Sequence, residues 1–389
     1  MIASAVRTPI GKFGGSLASM TAADLGVIAV KEALKRSGIE PEAVNETIMG
    51  NARQAGNGPN VARQVSFRSG IPRESPSFTV NKACGSGLKA ILLAFNEIVL
   101  GRASVMVAGG TESMSRVPYL VDNARWGLRM GNQPLVDGMY RDGFFCPLAG
   151  QIMGETAETL ATMHGISRDE QDEFAVRSQS RASKAIAEGR FRDEMVSISL
   201  AGRKGDTREF STDEHVRTGV SIADMKKLPP VFSKAGTITA GNSSGITDGA
   251  SATVLVSESE AVRRNVKPIA RIVDYAVAGV DPKIMGVGPV PAIRKLLART
   301  GMKLDDFGLV ELNEAFAAQV IACQRELQID PDRLNVNGGA IALGHPIGCT
   351  GARIVTTLIH EMHKRGAQYG LATLCISGGQ GIALAVERI

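Results

Sequence analysis

Three reactive side chains, Cys84, His345 and Cys375, each lie in a glycine-rich stretch of this 389-residue sequence. Cys84 stands in NKACGSGLKA (81–90), between a strand-like run and a helix-like run. Backbone N–H groups at the start of a helix favour a thiolate, and flanking glycines permit a strained turn and close approach of a substrate. The alternative is a small buried side chain, since free cysteines are commonly core residues. Cys84 is a candidate nucleophile that needs a base.

His345 is the candidate base. It lies in GGAIALGHPIGCTGARI, on a glycine-rich loop just before a helix-like run, and Pro346 restricts the backbone beside it. A purely structural loop histidine is the alternative. In a duplicated chain this loop corresponds to the one that carries Cys84, so the two side chains would face each other. A Cys–His pair is a sufficient nucleophile and base.

Two further residues at predicted strand ends complete the candidate set. Cys375 ends the strand-like run GLATLC, where a core cysteine is the alternative. Asn313, in ELNEAF, ends another strand of the same half. Its amide could orient a water or donate to an oxyanion, or it could only cap a helix. Two thiols with one histidine suit acyl transfer, in which one sulfur carries the acyl group and the other moves a proton.

The glycines around Cys84 also spell a dinucleotide-binding pattern. Gly85-x-Gly87-x-x-Ala90 matches G-x-G-x-x-A, which requires an acidic residue about 20 positions on, at the end of the next strand. Here that strand, SVMVAGG, ends in glycines, and Glu112 lies beyond the turn. The nucleotide pattern is therefore incomplete, and the sequence favours the nucleophile interpretation.

Strand-like and helix-like segments alternate in both halves of the sequence. In the first half, a helix with one apolar face is flanked by two predicted strands, SFTV and SVMVAGG. The same alternation of strand and helix recurs in the second half, in ARIVDYAVAG, PVPAIRKLLARTG and GLATLC. VAGG (107–110) aligns with ISGG (376–379), and Val80-Asn81 aligns with Val336-Asn337. This order predicts a duplicated α/β unit, a sheet covered by helices in each half.

The middle of the chain differs in composition from the two halves that flank it. It carries the single tryptophan and many isolated charges, as expected for an insertion where substrate recognition is often found. We predict an N-terminal half from residues 1–117 plus 246–267, an inserted loop domain at 118–245, and a C-terminal half at 268–389.

Composition limits the function classes. Aromatic residues are only 4% and the net charge is +5, which fits an anionic small molecule and argues against a stacking platform for nucleic acid. Five cysteines without metal-ligand spacing predict a reducing compartment and no metal site. We find neither an apolar run long enough for a membrane span nor a signal peptide, and therefore expect a cytoplasmic protein.

The ordered motifs resemble the thiolase family nearly end to end. The resemblance rests on a set of stretches found in family order: AVRTPIGKFGG, NKACGSGLKA, AGGTESMS, MGETAE, TAGNSSGITDGA, DPKIMGVGPVPA, ELNEAFAAQ, GGAIALGHPIGCTGAR and CISGGQG. It implies the five-layer αβαβα thiolase fold with two duplicated halves and an inserted loop domain.

The resemblance also implies roles for the candidate residues. Cys84 would be acylated, His345 would activate it, and Cys375 would be the acid/base for the second substrate. Asn313 would hold a water that forms one oxyanion hole with His345. The backbone N–H groups of Cys84 and Ser377 would form the other.

The implied reaction is the reversible condensation of two acetyl-CoA to acetoacetyl-CoA and CoA. Its thioesters are substrates, so no cofactor is expected, and the chain would form a dimer or a dimer of dimers. The implied coenzyme A contacts are Arg217 at the adenine end, Ser244 on the pantetheine, and the apolar residues Met153, Phe232, Ala240, Phe316 and Met285.

The sequence departs from the family pattern at two positions. Ser377 stands where three consecutive glycines are typical, and Ile152 stands where short-chain members commonly have histidine. The competing interpretations are a 3-ketoacyl-CoA thiolase of broader chain length in fatty-acid degradation, a decarboxylating condensing enzyme, and a non-catalytic CoA or lipid carrier. Asn313 argues against the second, which normally pairs its cysteine with two histidines, and the retained cysteines and histidine argue against the third.

Overall fold

The structure is a computed structural model that describes residues 1–202 and 206–389. Its strands are β1 (Ile2–Arg7), β2 (Gly11–Lys12), β3 (Glu46–Gly50), β4 (Ser77–Val80), β5 (Val105–Ser113), β6 (Tyr119–Leu120), β7 (Val136–Asp137), β8 (Phe145–Cys146), β9 (Gln151–Ile152), β10 (Ile198–Ala201), β11 (Thr207–Phe210), β12 (Thr247–Val256), β13 (Ala270–Gly279), β14 (Leu309–Leu312), β15 (Tyr369–Ile376) and β16 (Gln380–Arg388). Its α-helices are α1 (Ala22–Ser37), α2 (Val61–Arg68), α3 (Ser86–Val99), α4 (Met153–Met163), α5 (Arg168–Ala187), α6 (Ile222–Lys226), α7 (Glu258–Arg263), α8 (Pro289–Thr300), α9 (Ala317–Leu327), α10 (Ala340–Leu343) and α11 (Ile347–Arg365).

Most strands join one ten-stranded sheet in the order β14-β15-β16-β13-β1-β12-β5-β3-β4, with β2 beside β12. The sheet is nearly divided at its centre, because β1 and β13 share a single residue pair, Ile2 with Ala270. On either side of that pair the strands pair over most of their length, as in β12 with β5 and β13 with β16. The sheet therefore forms two halves that meet at one point.

Helices cover both faces of each half and give five layers. Alternate residues of β5 show the arrangement: Val105 and Val107 pack in the core beneath α1 and α2, whereas Met106 and Ala108 face α3 and α11. The second half packs its inner face on the same two helices and its outer face on α8 and α9. The predicted αβαβα layering is confirmed.

The middle layer consists of α3 and α11, which cross where both have glycine. A Cβ at Gly87 would lie 2.8 Å from the backbone nitrogen of Ala352, and one at Gly351 would overlap Leu88. The absence of side chains lets the two helices approach closely, which brings their first turns together. Those first turns follow Cys84 and His345.

Several predicted elements have the bounds read from the sequence. SFTV is β4, ARIVDYAVAG is β13, and α8 ends at Gly301 in the left-handed conformation (φ 72°). One predicted parallel between the halves is wrong: Val80 ends a strand, whereas Val336 lies in a turn. There the second half has only an isolated bridge between Val310 and Leu334, because Asn335 turns the chain with a positive φ of 46°.

The middle segment of the chain carries α4, α5, α6 and three two-stranded sheets, β6–β7, β8–β9 and β10–β11. It also contains the undescribed residues 203–205. After it, β12 returns to the first half and pairs with both β1 and β5. None of the described helices has the length and apolar character needed to cross a membrane.

Candidate active site

The candidate residues meet where parallel strands end. Strands β3, β4 and β5 are parallel to one another, and so are β14 and β15. Cys84 follows the carboxyl end of β4, Asn313 follows β14, and Cys375 is the penultimate residue of β15. Ligands of α/β sheets bind at this kind of edge.

The turn that carries Cys84 is held by side chains and by one strained residue. Ala83 has a φ of 44°, an unusual conformation for a residue with a Cβ. The Asn81 side chain accepts a hydrogen bond from the Ala83 N–H (3.0 Å), and the Ser86 hydroxyl accepts one from the Lys82 N–H (2.8 Å). The sequence predicted that the glycines would supply the strained turn. That expectation is wrong, because Gly85 has an ordinary φ of −82°.

The glycine after Cys84 is required for packing instead. A Cβ at Gly85 would lie 2.6 Å from the Cδ1 atom of Ile376. The end of β15 therefore lies directly against the Cys84 turn. The backbone N–H groups of Ser377 and of Cys84 itself both act to lower the pKa of the Cys84 thiol. These are the two donors expected for one oxyanion hole.

His345 lies between α10 and α11 and is 6% exposed. Its backbone N–H donates to the carbonyl of Gly245 (2.9 Å), and its Nδ1 lies 2.6 Å from the hydroxyl oxygen of Thr350. That hydroxyl donates to the carbonyl of Pro346 (3.0 Å), so its oxygen is left to accept from Nδ1–H. The proton of the neutral imidazole is thus on Nδ1, and Nε2 presents a lone pair.

Electrostatics keep both members of the Cys84–His345 pair neutral at rest. Burial, assisted by the positive charges of Arg353 and Arg53, lowers the pKa of His345 from 6.5 to about 3. Removal from solvent raises the pKa of the Cys84 thiol, an effect that Arg53 and the two backbone N–H groups oppose. The arrangement is a neutral thiol and an unprotonated imidazole in the lining of one cavity, the protonation states that proton transfer from sulfur to imidazole requires.

Asn313 and Cys375 lie behind this pair. The Asn313 Nδ2 is 3.5 Å from Nε2 of His345, while its buried Oδ1 has no partner among the described residues. Cys375 is fully buried. Burial is the largest cause that raises its pKa, and the neighbouring Cys84 thiol adds to it. The structure therefore brings all four predicted catalytic residues together.

Cys84 and His345 open into a cavity of about 310 Å³. Five of the seven residues expected to contact coenzyme A line it: Met153, Phe232, Ser244, Met285 and Phe316. The other two, Arg217 and Ala240, are exposed and outside the lining. Ile152 and Ser377, the two departures from the family pattern, also line the cavity.

Three further residues support this site, and the sequence did not predict a role for any of them. Thr350 fixes the tautomer of His345. Glu112, fully buried, accepts hydrogen bonds from the backbone of Ala52 (3.0 Å) and Gly348 (2.8 Å) and so ties the end of β5 to the first turn of α11. Arg53 follows the carboxyl end of β3 and lines the cavity. Its position after a strand was a usable signal, whereas Thr350 and Glu112 act through contacts that a sequence does not reveal.

Two family domains together match nearly the whole chain. Residues 1–259 match the thiolase N-terminal domain, and residues 266–388 match the thiolase C-terminal domain.

Curated relatives and solved structures agree with these matches. The acetyl-CoA acetyltransferase of Cupriavidus necator is 51% identical over 388 residues, covering 100% of this chain and 99% of the relative. The crystal structure of the Bacillus anthracis acetyl-CoA acetyltransferase has a TM-score of 0.97 at 46% identity, covering 100% of this chain and 98% of that one. Human mitochondrial 3-ketoacyl-CoA thiolase gives a TM-score of 0.97 at 45% identity, with the same coverage.

Proposed function

The chain belongs to the thiolase family, and from this membership we propose that it is an acetyl-CoA acetyltransferase. It would condense two acetyl-CoA to acetoacetyl-CoA and CoA, and cleave acetoacetyl-CoA in the reverse direction. Relatives that carry this name are about half identical to it over the whole chain, and they support the assignment.

In the cleavage direction, Cys84 would transfer its proton to Nε2 of His345 as its sulfur attacks C3 of acetoacetyl-CoA. The C2–C3 bond then breaks, and C2 takes the proton of Cys375 as acetyl-CoA leaves. The acetyl group remains on Cys84. Covalent capture divides one difficult transfer into two smaller barriers.

The second half of the reaction returns the protons to Cys375 and Cys84. The thiol of CoA would give its proton to the Cys375 thiolate and attack the acetyl group. The Cys84 sulfur leaves and recovers its proton from His345. Condensation is the same sequence in reverse, so each residue serves as acid in one direction and as base in the other.

Two oxyanion holes would stabilise the charge that develops on the thioester oxygens. The backbone N–H groups of Cys84 and Ser377 form one. A water held by Asn313, together with His345, forms the other, and the unpartnered Oδ1 of Asn313 supports a water at this place. The mechanism uses proton transfer and covalent acyl capture, so we propose that it has no metal or redox cofactor.

Coenzyme A would enter along the cavity. Ser244 would contact the pantetheine between the apolar side chains of Met153, Phe232, Phe316 and Met285, which line the cavity. The exposed Arg217 and Ala240 would contact the part of coenzyme A that lies outside the cavity.

We also propose that the protein is a cytoplasmic homo-oligomer, a dimer or a dimer of dimers. The five cysteines are free, as in a reducing compartment. Strand β4 ends the sheet and carries the exposed Phe78, and the segment 119–135 exposes Tyr119, Trp126, Leu128, Met130 and Leu135. Edge strands and exposed apolar patches mark protein interfaces. Light scattering would measure the assembly.

The observation that carries the function is the neutral Cys84–His345 pair opening into the same cavity, with Asn313 beside the imidazole. The test is thiolysis kinetics across 3-ketoacyl-CoA substrates of increasing length. A steep fall beyond four carbons supports the acetyl-CoA acetyltransferase. The close structural match to human mitochondrial 3-ketoacyl-CoA thiolase makes that activity the second candidate, and a flat profile would favour it.

A further inference from the structure

One cation, Arg53, lines the catalytic cavity together with Cys84 and His345. Arg53 is 7% exposed. Among the described residues, its guanidinium makes one long hydrogen bond, from Nη1 to the carbonyl of Asp142 (3.4 Å), and its buried Nε donates to nothing. A buried charge without a partner is costly, so its presence calls for an explanation.

The guanidinium lies against the segment that contains Gly143 and Phe144. The Phe144 ring centroid lies 5.9 Å from its Cζ. A Cβ at Gly143 would lie 2.5 Å from Nε and 2.7 Å from Nη2, so only glycine leaves room for the group there. The Arg53 backbone is fixed as well, since its N–H donates to Oε1 of Glu112 (3.1 Å).

The two nearest acids are already occupied. The carboxylate of Glu112 accepts from the Asn51 side chain and from backbone N–H groups, including Gly348 at 2.8 Å. The carboxylate of Asp142 pairs with Arg141 at 2.8 Å. The charge of Arg53 acts to lower the pKa of both carboxyl groups, but neither acid lines the cavity, so among the described residues no acidic side chain shares the cavity with Arg53.

We propose that this cavity accepts 3-oxoacyl-CoA thioesters whose acyl chain ends in a carboxylate, and that Arg53 pairs with that carboxylate. The planar guanidinium suits a carboxylate because it can donate two parallel hydrogen bonds. An acetyl group carries no charge and makes no ion pair with Arg53. The proposal rests on the thiolase chemistry assigned to Cys84 and adds a second class of substrate.

The reaction balances as the cleavage of acetoacetyl-CoA does. The Cys84 sulfur attacks C3, its proton passes to His345, and the C2–C3 bond breaks. Acetyl-CoA leaves with the proton of Cys375, and the ω-carboxyacyl group remains on Cys84 beside Arg53. The thiol of CoA then displaces it as an ω-carboxyacyl-CoA, and the protons return to Cys375 and Cys84.

The test compares substrates that differ only at the chain end. Thiolysis of 3-oxoadipyl-CoA is measured beside that of 3-oxohexanoyl-CoA, which has a methyl group in place of the carboxylate, and 3-oxopimelyl-CoA beside 3-oxoheptanoyl-CoA. We expect the wild-type kcat/KM to be at least about tenfold higher for the acid in one of the two pairs. Acetoacetyl-CoA is the reference that tests the thiolase assignment separately.

Three variants test whether Arg53 causes the preference for the acid substrates. Arg53→Met should lower the ratio of kcat/KM for the preferred acid to kcat/KM for its neutral partner by about 100-fold, since any effect of Arg53 on Cys84 and His345 is common to both substrates. Arg53→Lys, which keeps the charge without the planar fork, should recover part of that loss. Arg116→Met removes an exposed arginine outside the cavity and should change none of the activities.

The proposal is overturned if neither acid is preferred over its neutral partner. It is also overturned if Arg53→Met lowers thiolysis of acetoacetyl-CoA and of the acids equally, since Arg53 would then support the Cys84 loop or thiolate. A wild-type enzyme that cleaves none of the substrates would instead refute the proposed function, so the two failures are distinguishable.

Discussion

The Nδ1 atom of His345 lies 2.6 Å from the hydroxyl oxygen of Thr350, one turn into the helix that follows the histidine. The hydroxyl donates its own proton to the carbonyl of Pro346 (3.0 Å), so it is an acceptor toward the imidazole. A residue outside the cavity lining therefore decides which nitrogen of His345 carries the proton. The Thr350 hydroxyl acts through His345 as a positioning group.

Replacing Thr350 by valine should lower kcat for acetoacetyl-CoA thiolysis by about 10- to 100-fold with little change in KM, because the imidazole loses the acceptor that fixes its tautomer. Thr350→Ser keeps the hydroxyl and should restore most of the activity. Steady-state kinetics of the three proteins check the prediction. A loss of activity in Thr350→Ser with little change in Thr350→Val would show that the packing of the methyl group matters and the hydroxyl does not.

His345 should also make stability depend on pH. Its pKa is about 3 in the folded protein and 6.5 ordinarily. Between these values the unfolded chain binds a proton there that the folded chain does not, so the free energy of unfolding falls as the pH falls. The wild type should lose up to about 2 kcal/mol between pH 7 and pH 5 relative to His345→Gln.

Urea denaturation of both proteins at pH 7 and pH 5 measures this difference, and other titrating groups cancel in the comparison. A stability difference that is the same at both pH values would mean that His345 titrates near 6.5 in the folded protein. The neutral pair assigned to Cys84 and His345 would then be wrong.

The crossing of α3 and α11 should tolerate no side chain. Gly87→Ala or Gly351→Ala should lower the free energy of unfolding by about 1–3 kcal/mol, since the added methyl group meets backbone of the opposite helix. Both variants should lose activity, because the crossing positions Cys84 relative to His345. Gly279→Ala is the matched control, because the atom nearest to a Cβ added there lies 3.8 Å away. If thermal unfolding showed the same loss of stability for Gly279→Ala, this explanation would be wrong.

The sequence was sufficient to predict several elements and the four candidate residues that the structure brings together. Alternation of apolar residues gave β4 and β13, and the glycine after PVPAIRKLLART gave the end of α8. Cys84, Asn313 and Cys375 were identifiable because each follows or ends a predicted strand, and strand ends of this fold share one edge.

The supporting contacts could not be predicted, because they depend on distances between residues far apart in the chain. The positive φ of Ala83 arises from hydrogen bonds of Asn81 and Ser86 rather than from glycine, and the role of Gly85 depends on Ile376. The contact between Glu112 and Gly348 likewise spans the two halves. Such tertiary contacts have no periodicity and no fixed spacing.

The central claim, that Cys84 carries the acyl group and Cys375 moves the proton, is tested most directly by trapping the intermediate. Wild type, Cys84→Ala and Cys375→Ala are mixed with acetyl-CoA, quenched in acid and digested for mass spectrometry. We predict that Cys375→Ala accumulates an acetyl group on the peptide containing Cys84, because CoA can leave as a thiolate without the proton of Cys375, whereas removal of the C2 proton for carbon–carbon bond formation has lost its base. An acetyl group on any other residue, or equal acetylation of Cys84→Ala, would contradict the account.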